Sequence, residues 1–339
     1  MTRSQPRTRP RQRTAALFAL LLGLAECTQA ADLDTTRQAI TIRAEPVDLV
    51  DGQPARTRLG ALTYLGGMEL TAAHPAFGGL SGLWVASGGH RFRAVTDKGN
   101  WIGGRLTGVS PTPTGVADAE IGPLGLPDGG PVADARGRDA EALAQHPAGR
   151  MLVAFEGKHR VLAYPADGGS PLAMAAERVA TPALLARAPA NKGPEALAAL
   201  ADGRLIMLTE GLTAGDSRVG FLRDGTGWRR LRYPMDPDYA PTDAGQLPGG
   251  DLLILERRFD PLGGFQARLR RIPGDAVAPG AMLDGPIIAH FRKPYIVDNY
   301  EGLAVRTAPD GRTLLYLMSD DNFQPLQRTL LLVFALGGD

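Results

Sequence analysis

An internal repeat constrains this chain more than any other feature. Its clearest copy runs Asp298-Asn299-Tyr300-Glu301-Gly302-Leu303, then a Pro309-Asp310-Gly311 turn, then the apolar run Leu314 to Met318, then Ser319-Asp320-Asp321-Asn322. Weaker copies upstream lead with Ser81, Glu141, Glu195 and Asp243 and close on Asp97, Glu156, Glu210 and Glu256. The leaders stand 60, 54, 48 and 58 residues apart. Within each copy a Gly turn joins two short strand-like runs, and a third run follows, as in Arg160 to Tyr164 and Ala267 to Ile272. A period near 55 residues marks stacked or radial units rather than a single sheet.

The run after each turn decides between the architectures. Leu205-Ile206-Met207-Leu208 and Leu252-Leu253-Ile254-Leu255 are apolar at every position. Strands without alternation are buried on both faces. A parallel α/β sheet buries strands in this way, but it needs a helix between each pair. The one fair helix candidate is Thr181 to Ala188, with Pro182 at its first position. The chain is therefore expected to be all-β, a β-propeller whose blades cover one another's strands. Five repeats leave Ile40 to Leu70 over. That segment either forms a further blade or supplies strands that close the ring, and six blades are favoured over five.

Equivalent positions in a propeller form rings about its axis, so the repeated acids would meet. One ring would hold Glu141, Glu195, Asp243 and Glu301, and the other Asp97, Glu156, Glu210, Glu256 and Asp320. Converging carboxylates repel unless something compensates. A hard cation with oxygen ligands would serve, and Ca²⁺ fits best. Arg257 and Arg258 are the alternative compensators. Acids at strand starts also accept backbone N–H bonds, which gives a purely structural reading of the same residues. Ser319-Asp320-Asp321-Asn322 is the densest block of oxygen donors, but it lacks the spacing and glycine of an EF-hand loop.

Other chemistry finds little footing. Gly79-Leu80-Ser81-Gly82-Leu83 lacks the second glycine of a nucleophile elbow, so Ser81 reads as a strand-start residue or a substrate contact. The five histidines show no zinc-site spacing. No phosphate-binding glycine loop follows a strand.

The remaining bounds come from charge and the first residues. The chain has 37 Lys+Arg and 36 Asp+Glu, and five of the arginines lie in the first 13 positions. The rest is mildly acidic, which is no nucleic-acid footprint. The arginines precede an apolar run, Ala15 to Ala25, too short to span a bilayer. With Thr28-Gln29-Ala30 it forms an export signal, residues 1–30, cleaved after Ala30. The only cysteine, Cys27, sits within it. Leu24-Ala25-Glu26-Cys27 approaches a lipoprotein box, with Glu26 in place of the small residue, so a lipid anchor through Cys27 is the lesser alternative. The expected mature chain is periplasmic or secreted, monomeric, without a membrane span and without disulfides. Residues 31–58 form a lead and strand, and 59–339 the propeller domain.

These units resemble the exported bacterial phytase-like domain, also described as "esterase-like activity of phytase". The resemblance rests on Gly79 to Leu83 with Thr96-Asp97-Lys98-Gly99; on Asp139-Ala140-Glu141-Ala142-Leu143; and on Asn191-Lys192-Gly193-Pro194-Glu195-Ala196-Leu197. Leu253-Ile254-Leu255-Glu256-Arg257 and Asn299 to Leu303 with Ser319 to Phe323 complete it. Ala140 and Ala142 depart from it, standing where the family's Glu-Gly-Leu patterns have glycine. The resemblance implies a propeller outside the cytoplasm that hydrolyses phosphate or other esters. Glu141, Glu195 and Glu301 are the expected catalytic or ligand carboxylates, and Arg257 the anion contact. Asp97, Glu156, Glu210, Asp243, Glu256, Asp320, Asp321 and Asn322 are the expected metal ligands. The alternatives are a non-catalytic propeller that binds a ligand or protein partner and, by analogy of fold, a lactonase.

Overall fold

The computed structural model describes residues 37–128, 137–166 and 170–337. Residues 1–30, expected to be an export signal, lie outside the described residues, and Cys27 with them. The chain opens with β1 (Gln38–Ile40), β2 (Ile42–Pro46), β3 (Arg58–Leu59) and β4 (Leu62–Ala72). Blade 1 is β5 (Leu80–Val85), β6 (Arg91–Thr96), β7 (Asn100–Val109) and β8 (Thr112–Pro123). Blade 2 is β9 (Ala140–Gln145), β10 (Met151–Phe155), β11 (Arg160–Tyr164) and β12 (Glu177–Val179). Blade 3 is β13 (Pro194–Ala199), β14 (Leu205–Ala214), β15 (Ser217–Asp224) and β16 (Gly227–Pro234). Blade 4 is β17 (Ala240–Gln246), β18 (Leu252–Asp260), β19 (Gly264–Ile272) and β20 (Ile287–Phe291). Blade 5 takes β21 (Asn299–Thr307), β22 (Thr313–Asp320) and β23 (Leu330–Leu336) from the C-terminus and β4 from the N-terminus.

The first strand of each blade packs against the first strand of the next, and β21 returns to β5. The ring therefore closes with five blades, not the favoured six. The leftover segment takes its other option. β4 pairs with β23 from Leu62 opposite Leu336 to Glu69 opposite Leu330. β2 lies on β4, while β1 pairs with β8 at the edge of blade 1. One N-terminal stretch thus hydrogen-bonds to both terminal blades. The helix candidate forms only a 3-10 turn, Ala183–Arg187, which buries Leu185.

Five apolar clusters fill the five blade-to-blade seams, which is where the non-alternating strands become necessary. Between blades 4 and 5, for example, Leu253 and Leu255 of β18 meet Leu315 and Leu317 of β22. Between blades 3 and 4, Ile206 and Leu208 of β14 meet Leu252 and Ile254 of β18. A middle strand thus offers alternate side chains to two neighbouring seams, and all of them are apolar. The strands nearest the axis are different. β9 and β13 read Ala-Glu-Ala-Leu-Ala and Pro-Glu-Ala-Leu-Ala, because five backbones crowd there. Gly82 shows the limit: it has φ +51°, and a Cβ on it would lie 2.5 Å from the Leu143 nitrogen of blade 2.

Candidate functional site

Every innermost strand breaks register at its leader or one residue from it. Phe155 pairs with Ala140 and Ala154 with Ala142, so Glu141 is the extra residue of a β-bulge. Glu195 is extra between Pro194 and Ala196, and Glu301 between Tyr300 and Gly302. A bulge bends the strand and re-aims the extra side chain. Here it turns three glutamates toward the axis. The same break falls on Gly82 in blade 1 and on Thr242 in blade 4.

This register corrects the alignment read from the acids alone. Asp243 is one residue past the bulge of its blade and is fully buried. Its carboxylate accepts N–H bonds from Ala244 (2.8 Å) and Leu303 (2.6 Å), which ties blade 4 to blade 5. Burial raises its pKa well above the usual range, although the amides of Leu303, Ala244 and Leu83 pull the other way. Ser81 is one residue before its bulge. In blade 4 the residue equivalent to Glu156, Glu210 and Asp320 is Arg257, since Pro241 pairs with Glu256 as Ala140 pairs with Phe155. Glu256 therefore points the other way. There it binds Arg268 at 2.6 Å and accepts the Tyr233 hydroxyl at 2.8 Å.

At the leader end of the axis lies a cavity of about 190 Å³. Eight carboxylates line it: Asp97, Asp139, Glu141, Glu156, Glu195, Glu210, Glu301 and Asp320. Ser81, Asn191, Asn322 and Arg257 complete the wall. Among the expected residues, Asp243, Glu256 and Asp321 are not part of this wall. Asp321 instead pins the rim, accepting N–H bonds from Gly79 (3.0 Å) and Phe323 (2.9 Å) and the Thr329 hydroxyl (3.1 Å). Asp139, Asn191 and Asn299 were not singled out as site residues. Asp139 and Asn299 each stand two residues before a bulged glutamate, and that shared offset was the available signal.

The acids fall into two groups. Asp139, Glu141 and Glu156 each place a carboxylate oxygen within 4.8 Å of the others. The Glu141 side chain is hydrogen-bonded to Asp139, and that of Glu195 to Glu156. Glu156 also accepts the Gly193 N–H. Burial first, then Asp139 and Glu301, hold the Glu141 carboxyl well above the usual range. Burial and then Glu141 do the same to Glu195.

On the other side, Arg257 Nη1 donates to Asn299 Oδ1 at 2.6 Å and lies 3.3 Å from Glu301 Oε1. Asn299 donates to Glu301 (2.9 Å) and Asp320 (3.3 Å), and Ser81 donates to Glu301 Oε2 (3.1 Å). Burial alone would lower the Arg257 pKa, but Glu301, Glu195, Glu210 and Glu141 together raise it. Burial and nearby carboxylates push Asp97 up to about 7 and Asp320 up to about 8. One oxygen of Asp97 is buried without a hydrogen-bond partner. Lys192 offsets Glu210 at 2.8 Å.

An all-oxygen donor set, carboxyls whose pKa values burial and like charge raise, and a buried carboxylate oxygen of Asp97 without a hydrogen-bond partner suit a hard cation. Asp139, Glu141 and Glu156 are the residues placed to hold it. No helix in the described residues is long and apolar enough to cross a membrane.

Comparison with known proteins adds a family to this geometry. Among solved structures, the chain is similar to a protein of unknown function from Dyadobacter fermentans, at 14% identity and TM-score 0.43, covering 90% of this chain and 96% of that one. It is also similar to the Malassezia sympodialis allergen Mala s 1, at 13% identity and TM-score 0.44, with 80% and 88% covered. A third is the PQQ-bound aldose sugar dehydrogenase of Streptomyces coelicolor, at 14% identity and TM-score 0.42, with 81% and 98% covered. At such values the likeness reaches neither a site nor an activity. No curated protein sequence matches the chain. The family described as "Phytase-like: Esterase-like activity of phytase" matches residues 75–323, a span that contains the whole acidic cavity, and the chain belongs to that family.

Proposed function

We propose that this propeller is an exported, metal-assisted hydrolase of ester or phosphoester bonds, with its reaction centre in the acidic cavity. One observation carries the reading: eight carboxylates face one cavity of about 190 Å³ with a single arginine among them. A bound divalent cation, Ca²⁺ by its preference for oxygen donors, would supply charge neutralisation and Lewis-acid polarisation of the substrate oxygen. Asp139, Glu141 and Glu156 would hold it, with Glu195 behind them. Arg257 faces these acids from blade 4 and would bind the anionic part of the substrate. Glu301, oriented by Ser81, Asn299 and Arg257, would take the proton of the attacking water. Export rests on the basic start, the short apolar run and Ala30.

The test uses the purified mature chain. Metal analysis should find a divalent ion in stoichiometric amount. Hydrolysis of p-nitrophenyl phosphate or p-nitrophenyl acetate should stop with EDTA and return with calcium. A bound ion without turnover on either ester points instead to a binding propeller. Full activity after exhaustive chelation would overturn the metal-assisted reading. Export is checked separately, by fractionating cells. An uncleaved chain in the cytoplasm, with residues 1–30 retained, would sink it.

A further inference from the structure

The opposite end of the axis holds a second cavity of a different character. The far halves of the five innermost strands open there into a funnel of about 610 Å³. Leu, Val and Ala from all five blades share its walls with Ser87, Gln145, His146, Gln246 and Thr307, and the Trp84 indole lies on one side. No Asp or Glu lines it, and its one guanidinium is Arg306. Apolar walls with a few converging polar groups are the ordinary form of a small-molecule site.

Arg306 is unusual for a buried cation. It is 6% exposed, and none of its hydrogen bonds goes to a carboxylate. Nε and Nη2 donate to the Tyr316 hydroxyl at 3.0 and 2.9 Å. Nη2 also approaches Ser110 Oγ at 3.4 Å, and Nη1 has only the Ser87 carbonyl at 3.5 Å. Five N–H donors thus have two good bonds, both to one neutral oxygen. The turn over the guanidinium closes only with glycine: Gly89 has φ +75°, and a Cβ there would lie 2.4 Å from Nη2. Burying an uncompensated charge is costly unless a partner arrives. The Trp84 N–H is already bound to Gln145 at 3.0 Å, so the indole offers the funnel only apolar surface.

We propose that this funnel is a binding site for a small amphipathic monocarboxylate. The carboxylate would accept from Arg306 Nη1, and the apolar body would lie against Trp84, Leu143 and Leu303. One guanidinium in a wall that carries no carboxylate matches one negative charge. A phosphate dianion would leave a second charge unpaired. The site is separate from the acidic cavity and stands whether or not that cavity is catalytic.

The test titrates the full mature chain with benzoate and, as its neutral counterpart, benzyl alcohol, by calorimetry and by tryptophan fluorescence. Benzoate should bind once per chain and at least about tenfold more tightly than benzyl alcohol, as a charge-assisted pair requires. Arg306→Gln should remove that preference. Ala199→Trp should fill the funnel from blade 3 and block both ligands without touching Arg306. The far-UV circular dichroism spectrum and cooperative melt of each variant report that the fold is intact. If Arg306→Gln fails to fold, Ala199→Trp decides. The proposal is overturned if benzoate shows no saturable binding, binds no better than benzyl alcohol, or binds Ala199→Trp as it binds the parent.

Discussion

Removing divalent ions should make the stability of this protein fall as pH rises, against the usual behaviour of acids held in ion pairs. The reason lies in Asp97 and Asp320. Burial and neighbouring carboxylates raise them from 3.8 to about 7 and about 8. Both folded values lie above the unfolded ones, so between pH 3.8 and about 8 the folded chain holds more protons than the unfolded chain. Stability is then fully present below that window and is lost as pH climbs through it. At about 1.4 kcal/mol per pH unit, the change from 3.8 to about 7 would amount to roughly 4 kcal/mol for Asp97 alone. Water and side chains relax around the new charge, and the two acids share neighbours, so the loss for the pair should be about 2–4 kcal/mol. For a domain this large that is on the order of 4–8 °C in melting temperature. Thermal melts from pH 5 to pH 9 in EDTA should show this fall, and calcium should flatten it, because a cation compensates the charge that protons otherwise must. The double variant Asp97→Asn/Asp320→Asn should lose the share of the slope these two acids supply, leaving that of Glu141, Glu195 and Asp243. A chelated parent whose melting temperature is flat or rising across that range, or a double variant with an unchanged slope, would refute the electrostatic reasoning.

Two further substitutions separate chemistry from packing. Glu301→Gln keeps the size and the Ser81 and Asn299 neighbours but removes the charge beside Arg257. Hydrolysis should fall by about 10²–10⁴-fold, with little change in chelated melts; an equal loss of stability with calcium and with EDTA would mark Glu301 as a structural hydrogen bonder only. Phe334→Ala empties a buried place between Tyr64 (5.4 Å) and Phe291 (5.6 Å) in the seam of blades 4 and 5, and should cost about 3–5 kcal/mol in denaturant melts. A cost near zero would show that blade 5 is not held by this seam.

The propeller was legible because its cause is periodic. Turn, apolar strand and acid recur, and the middle strands cannot be satisfied except between two other blades. The blade count was less legible, since β4 of blade 5 comes from the other end of the chain and carries none of the repeat's markers. The site was legible in its membership more than in its register. Glutamates at 141, 195 and 301 line the cavity because bulges turn them inward, and a bulge leaves no fixed mark in the sequence.

The misaligned blade 4 shows why this matters for chemistry. Matching acid to acid placed Glu256 in the ring beside Glu156, Glu210 and Asp320. Neighbouring residues of a strand face opposite ways, so an error of one residue exchanges the buried partner of Arg268 for the residue that faces the axis. The residue that does face it is Arg257. A ring of acids alone would offer a substrate anion only repulsion. With a guanidinium among its acids, the cavity has an acidic side suited to a cation and a basic point suited to an anion. The cation ligands and Arg257 then stand on different blades, so a bound ester would span the axis. Arg257→Gln should accordingly weaken the binding of an anionic ester such as p-nitrophenyl phosphate far more than that of neutral p-nitrophenyl acetate, as read from KM for the two substrates. Equal effects on both would remove the anion-binding role from Arg257.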